Sequence, residues 1–449
     1  MDVTNHRSTR KLFNILVGMV ISVVWAQTAS SDQQAPRNIL FIAVDDLRNW
    51  VNYNSDYAGT VHTPNIDALA AVSTRYLNAY ATVPQCVGSR TSVMMGMSPA
   101  THRITRAIWG IEPEYQAVYS NPAILSLPQV LNQNGYYTAS TGKIFSVPLA
   151  NRWDEAGPAN NPVYNPFDPG PDNTYLNPGV QPEFEVHPDQ ATTNWAINFL
   201  NTYEGTEPFF LAAGFHLPHI PWVVPQWAYD LYPIEEIVVS TPIPDDLADE
   251  PSAAVALVDP PNNALSQYEL IEYAGKAADY TRAYLASISH TDAMVGQLLA
   301  ALAASPYANN TDVILWSDHG FHLGEKFHWG KNTLWDQSVK VPLLVSSPGN
   351  PDYPVGDITS PVSLLDLAPT VLALAGVAPF PQFEGAPLHD VVNRSPVEIY
   401  FNDGRATILP GDRKSIDYNL VLNQGLSDLA AYLLSDSQEE NNLLFIPGC

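Results

Sequence analysis

An α/β fold follows from three observations in this sequence: a large mixed, mainly parallel sheet with helices on both faces, and a small C-terminal subdomain with a short antiparallel sheet. Apolar, β-branched runs over residues 38–44, 209–215 and 313–316 have the length and composition of strands buried on both faces. Helix-patterned stretches separate them, the alternation that builds a parallel sheet. Beyond about residue 379 that rhythm gives way to shorter strands.

From the N-terminus, Arg7, Arg10 and Lys11 precede an apolar stretch over residues 12–25 that ends in Val24-Trp25-Ala26. This is the pattern of a secretory signal cleaved after Ala26. The rival reading is a signal anchor, disfavoured because the run is shorter than the ~20 residues a spanning helix needs. No other segment has the length to cross a bilayer, so no stable membrane insertion is expected after signal removal. The mature chain is expected in an extracellular, periplasmic or lysosome-like compartment. The strand at 38–44 ends in Asp45-Asp46, and Thr63-Pro64 followed by Ile66, Leu69 and Ala70 starts a helix. Residues 127–134, Gly135 and residues 136–141 read as helix, C-cap glycine and strand.

Residues 147–188, rich in Pro, Asn and Gly, and 241–261, rich in Pro and Asp, are expected as long surface loops. A helical stretch covers about 267–303, and a helix over 364–375 ends at Gly376. Strands over 398–401, 419–422 and 431–434 are assigned to the subdomain. The expected organisation is a signal peptide (1–26), a catalytic domain (36–378) and a C-terminal subdomain (379–449).

Cys86 and the final residue Cys449 are the only cysteines, which rules out a disulfide framework. Residues 1–26 carry one Asp against two Arg and one Lys, so their removal takes the net charge from −26 to −28. That charge argues against a nucleic-acid partner and repels polyanions at long range unless a local basic pocket offsets the field. Asn309-Asn310-Thr311 and Asn393-Arg394-Ser395 are glycosylation sequons, compatible with a eukaryotic secretory route.

Several short stretches carry chemistry. Asp45-Asp46 at one strand end and Asp318-His319 at another supply ligand-type residues that a shared divalent ion needs. Imidazole alone is an unusual Ca²⁺ ligand, and paired Asp at a strand end is also a common turn. Cys86 begins a helix-patterned run with Arg90 one turn on; a helix N-terminus favours a nucleophile and an anion alike. Lys143 and Lys331 lie near strand ends in a chain poor in basic residues. Phe215-His216-Leu217-Pro218-His219-Ile220-Pro221 offers two imidazoles in a Pro-framed turn, candidates for a general acid or for structural histidines. Trp50, Arg106, Trp109 and Trp222 lie near these motifs and are candidate sugar contacts.

In this order, the stretches resemble the type I sulfatases of the alkaline phosphatase superfamily, in particular the iduronate-2-sulfatase-like branch. The resemblance runs from about Pro36 to Leu444, including the closing segment 434–443. It implies an alkaline phosphatase-like fold and formylglycine made from Cys86 by a formylglycine-generating enzyme. It also implies one divalent ion, Ca²⁺ or Mg²⁺, held by Asp45, Asp46, Asp318, His319 and the modified Cys86. Arg90 would support the aldehyde hydrate, Lys143 and Lys331 would bind sulfate oxygens, and His216 would protonate the leaving alcohol of a small-molecule or glycan sulfate ester.

Three positions depart from the family pattern. Gly88 stands where the modification signal has Pro or Ala, in a segment the maturing enzyme reads as extended peptide. Ser146 stands where a histidine assists the hydrate, and Leu217 replaces a frequent lysine. Two other readings compete with a sulfate-ester hydrolase: a phosphodiesterase or phosphonate monoester hydrolase of the same superfamily, and a pseudo-sulfatase that binds without turnover.

Overall fold

Residue 44 of the central strand pairs with Phe215 on one side and Ser317 on the other, so three strand ends open at one edge of one sheet. The computed structural model describes residues 36–106, 110, 112–159, 176, 178–182, 186–258, 265–390, 394–409, 413–418, 429–432, 439 and 442. The expected signal, the strand at 419–422, Trp109, Cys449 and most of the closing segment lie outside these residues.

The main sheet has eight strands: β1 (Asn38–Val44), β2 (Thr74–Tyr76), β3 (Tyr137–Gly142), β4 (Glu155–Ala156), β5 (Phe209–Phe215), β6 (Thr311–Ser317), β7 (Leu343–Ser346) and β8 (Gly356–Ile358). Their order is β8-β2-β7-β6-β1-β5-β3-β4. Only β7 runs against its neighbours; the other pairings are parallel. The sheet is therefore mixed and mainly parallel, as its apolar strands require.

Alternation along β1 divides the core in two. Leu40, Ile42 and Val44 join one apolar cluster with residues of α1 (Pro64–Ala70), α4 (Pro188–Thr202) and α7 (Ala277–Ala304). Ile39, Phe41 and Ala43 join the other with α2 (Cys86–Met95), α3 (Leu127–Gln133) and α8 (Leu367–Leu374). Both faces are covered, which is why β1, β5 and β6 are buried along their whole length. Among the described residues no helix is long and apolar enough to cross a bilayer.

Local details correct the sequence reading. The expected helix over 267–303 is two, α6 (Gln267–Ala274) and α7, separated at Gly275, whose φ of 64° closes the first. The expected loop over 241–261 contains α5 (Ser252–Val258), and the one over 147–188 contains the edge strand β4. The C-terminal antiparallel sheet is β9 (Val397–Phe401), β10 (Gly404–Leu409), β11 (Arg413–Asp417) and β12 (Leu429–Tyr432). Two of its strands, β10 and β11, were not expected. Alternate residues of β9, β10 and β11 meet Trp335 and Val339 in a third apolar cluster.

Two glycines let β3 and β5 end side by side. Gly142 (φ 74°) pairs with Gly214, and a Cβ on Gly214 would lie 2.2 Å from the Lys143 carbonyl oxygen. Gly214→Ala must push that backbone aside, an overpacking cost of about 1–3 kcal/mol. The expected outcome is a lower urea midpoint, measured by circular dichroism, and displacement of Lys143.

Candidate active site

Helix α2 delivers Cys86 to the open sheet edge. Gln85 caps it, its side-chain oxygen accepting the N–H groups of Val87 (3.0 Å) and Gly88 (3.3 Å). The whole helix is buried, so its approach to neighbouring backbone is close. A Cβ on Gly88 would stand 2.4 Å from the Ile104 carbonyl oxygen and 2.9 Å from Val83 Cγ2. Glycine at this position thus fits the close approach of Ile104 and Val83 in this chain.

Around Cys86 the strand ends converge. Its Sγ lies 3.2 Å from His319 Nε2, 3.2 Å from Lys331 Nζ and 3.9 Å from Lys143 Nζ. Arg90 Nε donates to Asp318 Oδ2 at 2.7 Å, and its Nη2 lies 3.3 Å from Asp45 Oδ1. Lys143 Nζ donates to Asp45 Oδ2, Arg90 Nη1 donates to the Lys143 carbonyl, and Lys331 Nζ meets Asp46 Oδ1 at 2.7 Å. Asp46 sits at φ 61°, a region aspartate tolerates better than most residues. Its N–H bonds Asp318 Oδ1 and its carbonyl accepts the Tyr284 hydroxyl at 2.7 Å.

These charges are buried and shape one another. Burial raises the Asp45 carboxyl, yet Lys143, His219, Arg90 and Lys331 together hold it well below the usual range. For Asp46 burial wins over Lys331 and His319, and Asp45 and Asp318 add to the upward shift. Burial and Asp45 push the Cys86 thiol up to about 12 against Lys143 and Lys331, so the unmodified side chain is no thiolate nucleophile at neutral pH.

The donor set fits a divalent cation. Ligand atoms of Asp45, Cys86, Asp318 and His319 lie within 4.8 Å of one another, as do those of Asp45, Asp46, Cys86 and His219. Asp46 Oδ2 is buried without a hydrogen-bond partner, an acceptor a cation would satisfy. Three carboxylates in one buried pocket suit a hard ion.

Eight of the nine residues singled out from sequence meet here: Asp45, Asp46, Cys86, Arg90, Lys143, Asp318, His319 and Lys331. His216 is in neither ligand group around Cys86, although its ring centroid lies 4.8 Å from that of His219, and its Nε2 bonds the Ile220 carbonyl at 3.1 Å. Burial, then Lys143, lowers it to about 4. His219, three residues on, is the histidine beside Asp45, Asp46 and Cys86. Its Nδ1 bonds the same Ile220 carbonyl at 2.6 Å, which leaves Nε2 as its free nitrogen. Both imidazoles were visible in the sequence, but only the shape of the turn separates them.

Trp50 and Trp222 are correspondingly removed from the list of sugar contacts: they are 1% and 0% exposed and belong to the core. Arg106 is exposed and paired with Glu114 at 3.2 Å. Ser146 Oγ is buried without a hydrogen-bond partner, so it accepts no proton relay from a neighbour here.

Known proteins share this architecture. The family model described as Sulfatase matches residues 37–377. A protein named Sulfatase from Formosa agariphila is 34% identical over 374 residues, covering 78% of this chain and 71% of its own length. Human iduronate 2-sulfatase is 32% identical over 372 residues, covering 74% of this chain and 64% of its own, so the chain spans under two thirds of that relative. The solved phosphonate monoester hydrolase of Agrobacterium radiobacter superposes with a TM-score of 0.70 at 18% identity, covering 90% of this chain and 91% of its own.

Divalent binding has a direct signature. Ca²⁺ at about 100 times its Kd should add about 2.7 kcal/mol of stability, read as a rise in Tm. Asp46→Asn, which removes the charge at the unpartnered oxygen, should abolish most of that rise.

Proposed function

Because the chain belongs to the sulfatase family, we propose that it is an exported sulfuric ester hydrolase that cleaves O-sulfate from a sulfated sugar or related organic sulfate. The observation that carries this reading is Cys86 at a buried helix N-terminus, with Lys331 and Lys143 Nζ 3.2 and 3.9 Å from its sulfur and three carboxylates behind it. Two ammonium groups flanking one nucleophile position form a receptor for a tetrahedral anion. The kinship with human iduronate 2-sulfatase supports a sugar sulfate as substrate.

Converted to formylglycine by a generating enzyme, position 86 would supply a hydrated aldehyde oxygen as nucleophile, and Ca²⁺ or Mg²⁺ held by Asp45, Asp46, Asp318 and His319 would polarise the sulfuryl oxygens. Lys143 and Lys331 bind and orient the sulfate, both kept cationic: burial lowers each, but Asp45 and Cys86 together outweigh it for Lys143, and Asp46, Cys86, Asp45 and Asp318 together for Lys331. Arg90, bonded to Asp318 and to the Lys143 carbonyl, fixes the pocket floor.

We assign the leaving-group proton to His219 and not His216. Its Nδ1 is fixed on the Ile220 carbonyl, and Nε2 carries the proton to the departing alcohol oxygen. Burial, then Lys331 and Lys143, lowers His219 well below its usual value. The negative charge of a bound sulfate ester favours the imidazolium that this step requires. His216, whose Nε2 bonds the same Ile220 carbonyl, braces the turn from its other side.

A phosphonate or phosphate ester hydrolase is the second reading, favoured by the fold shared with the phosphonate monoester hydrolase. Paired turnover of 4-nitrophenyl sulfate and phenyl phosphonate esters separates the two: the sulfate should be preferred by at least about 10²-fold in kcat/KM. The opposite preference establishes the second reading, and turnover of neither, nor of a panel of sulfated sugars, by converted protein establishes a binding protein. His219→Ala should lower kcat by about 10²–10⁴, with His216→Ala costing less; the reverse order would return the acid role to His216.

A further inference from the structure

A second cluster of ligand-type side chains lies outside the Cys86 pocket and shares no residue with it. We propose that His187, Asp189 and His290 form a separate metal site for a late first-row transition ion such as Zn²⁺. His187 caps α4, Asp189 sits in its first turn, and His290 projects from the middle of α7. One donor atom of each lies within 4.8 Å of the other two, and the imidazole centroids are 4.5 Å apart.

Independent of that proximity, His290 is only 2% exposed and its Nδ1 is buried with no hydrogen-bond partner. A buried polar atom left unpaired carries an uncompensated desolvation penalty, and coordination of an ion would remove it. The Trp227 ring stacks on His290, centroid 6.1 Å away and 28° from parallel.

The donor set selects the ion. Two imidazoles and one carboxylate suit Zn²⁺ and its neighbours, whereas the three-carboxylate pocket at Cys86 suits a hard cation. The surroundings also have the form of a supporting shell. The Asp189 carboxylate accepts the N–H groups of His216 (2.7 Å) and Leu217 (3.0 Å), and Thr291 Oγ1, next to His290, donates to the Leu217 carbonyl at 3.1 Å. An ion on Asp189 is therefore tied to the turn that carries His219. His187 already accepts the Asp189 N–H on Nδ1 at 3.0 Å and also meets the Val223 backbone. Coordination exchanges one of these contacts for the metal bond.

The test uses full-length Cys86→Ala protein saturated with Ca²⁺, so that neither the thiol nor the hard-ion pocket captures the probe. Co²⁺ should then bind at about one ion per chain with the absorption of a tetrahedral nitrogen–oxygen site, and Zn²⁺ should displace it and raise Tm. His290→Gln or His187→Gln, on different helices, should each abolish both signals while circular dichroism stays unchanged. Absence of bound Co²⁺, or equal binding and equal Tm shifts in the variants that remain folded, overturns the proposal.

Discussion

Everything in this protein's candidate site depends on burying three carboxylates and three cations together. Asp45, Asp46 and Asp318 are 0% exposed, and Arg90, Lys143 and Lys331 reach them at the same edge of the sheet. Removing one partner from such a set leaves an uncompensated buried charge, at about 3–5 kcal/mol. The arrangement is thus all or nothing. It also explains why Asp45 and Asp46, adjacent in sequence, shift in opposite directions: Asp45 faces several cations, Asp46 has an oxygen facing none.

That constraint sets the rest of the fold. Parallel pairing of β1 with β5 and β6 puts the carboxylates, the histidine turn and Asp318-His319 at one edge. The Gly142–Gly214 contact brings Lys143 against them, and the tight seat of Gly88 lets α2 point its N-terminus into the cluster. Asp189 then fixes the start of the His216–Pro221 turn through two backbone N–H groups. Each device is a backbone approach or a buried polar bond.

The parts legible in the sequence were those with one strong cause. Strands buried on both faces read as apolar runs, so β1, β5 and β6 were legible, and with two of them the ligand-type pairs that follow, Asp45-Asp46 and Asp318-His319. What was not legible depended on three-dimensional choice. β10 and β11 alternate polar and apolar residues around a small core, and α5 hides among Pro and Asp. His216 and His219 share one motif, and the folded turn alone decides which imidazole meets Cys86. Trp50 and Trp222 stand near the motifs in sequence but pack into the core. Gly88 read as a defect in a modification signal; in the fold it is the residue that fits against Ile104.

The central claim is that this buried arrangement serves a modified Cys86 and not a thiol. The most direct measurement is the mass of the peptide containing Cys86, taken from protein produced together with a formylglycine-generating enzyme. The account predicts substantial conversion to the aldehyde despite Gly88. An intact thiol throughout, in protein that is folded, would contradict it.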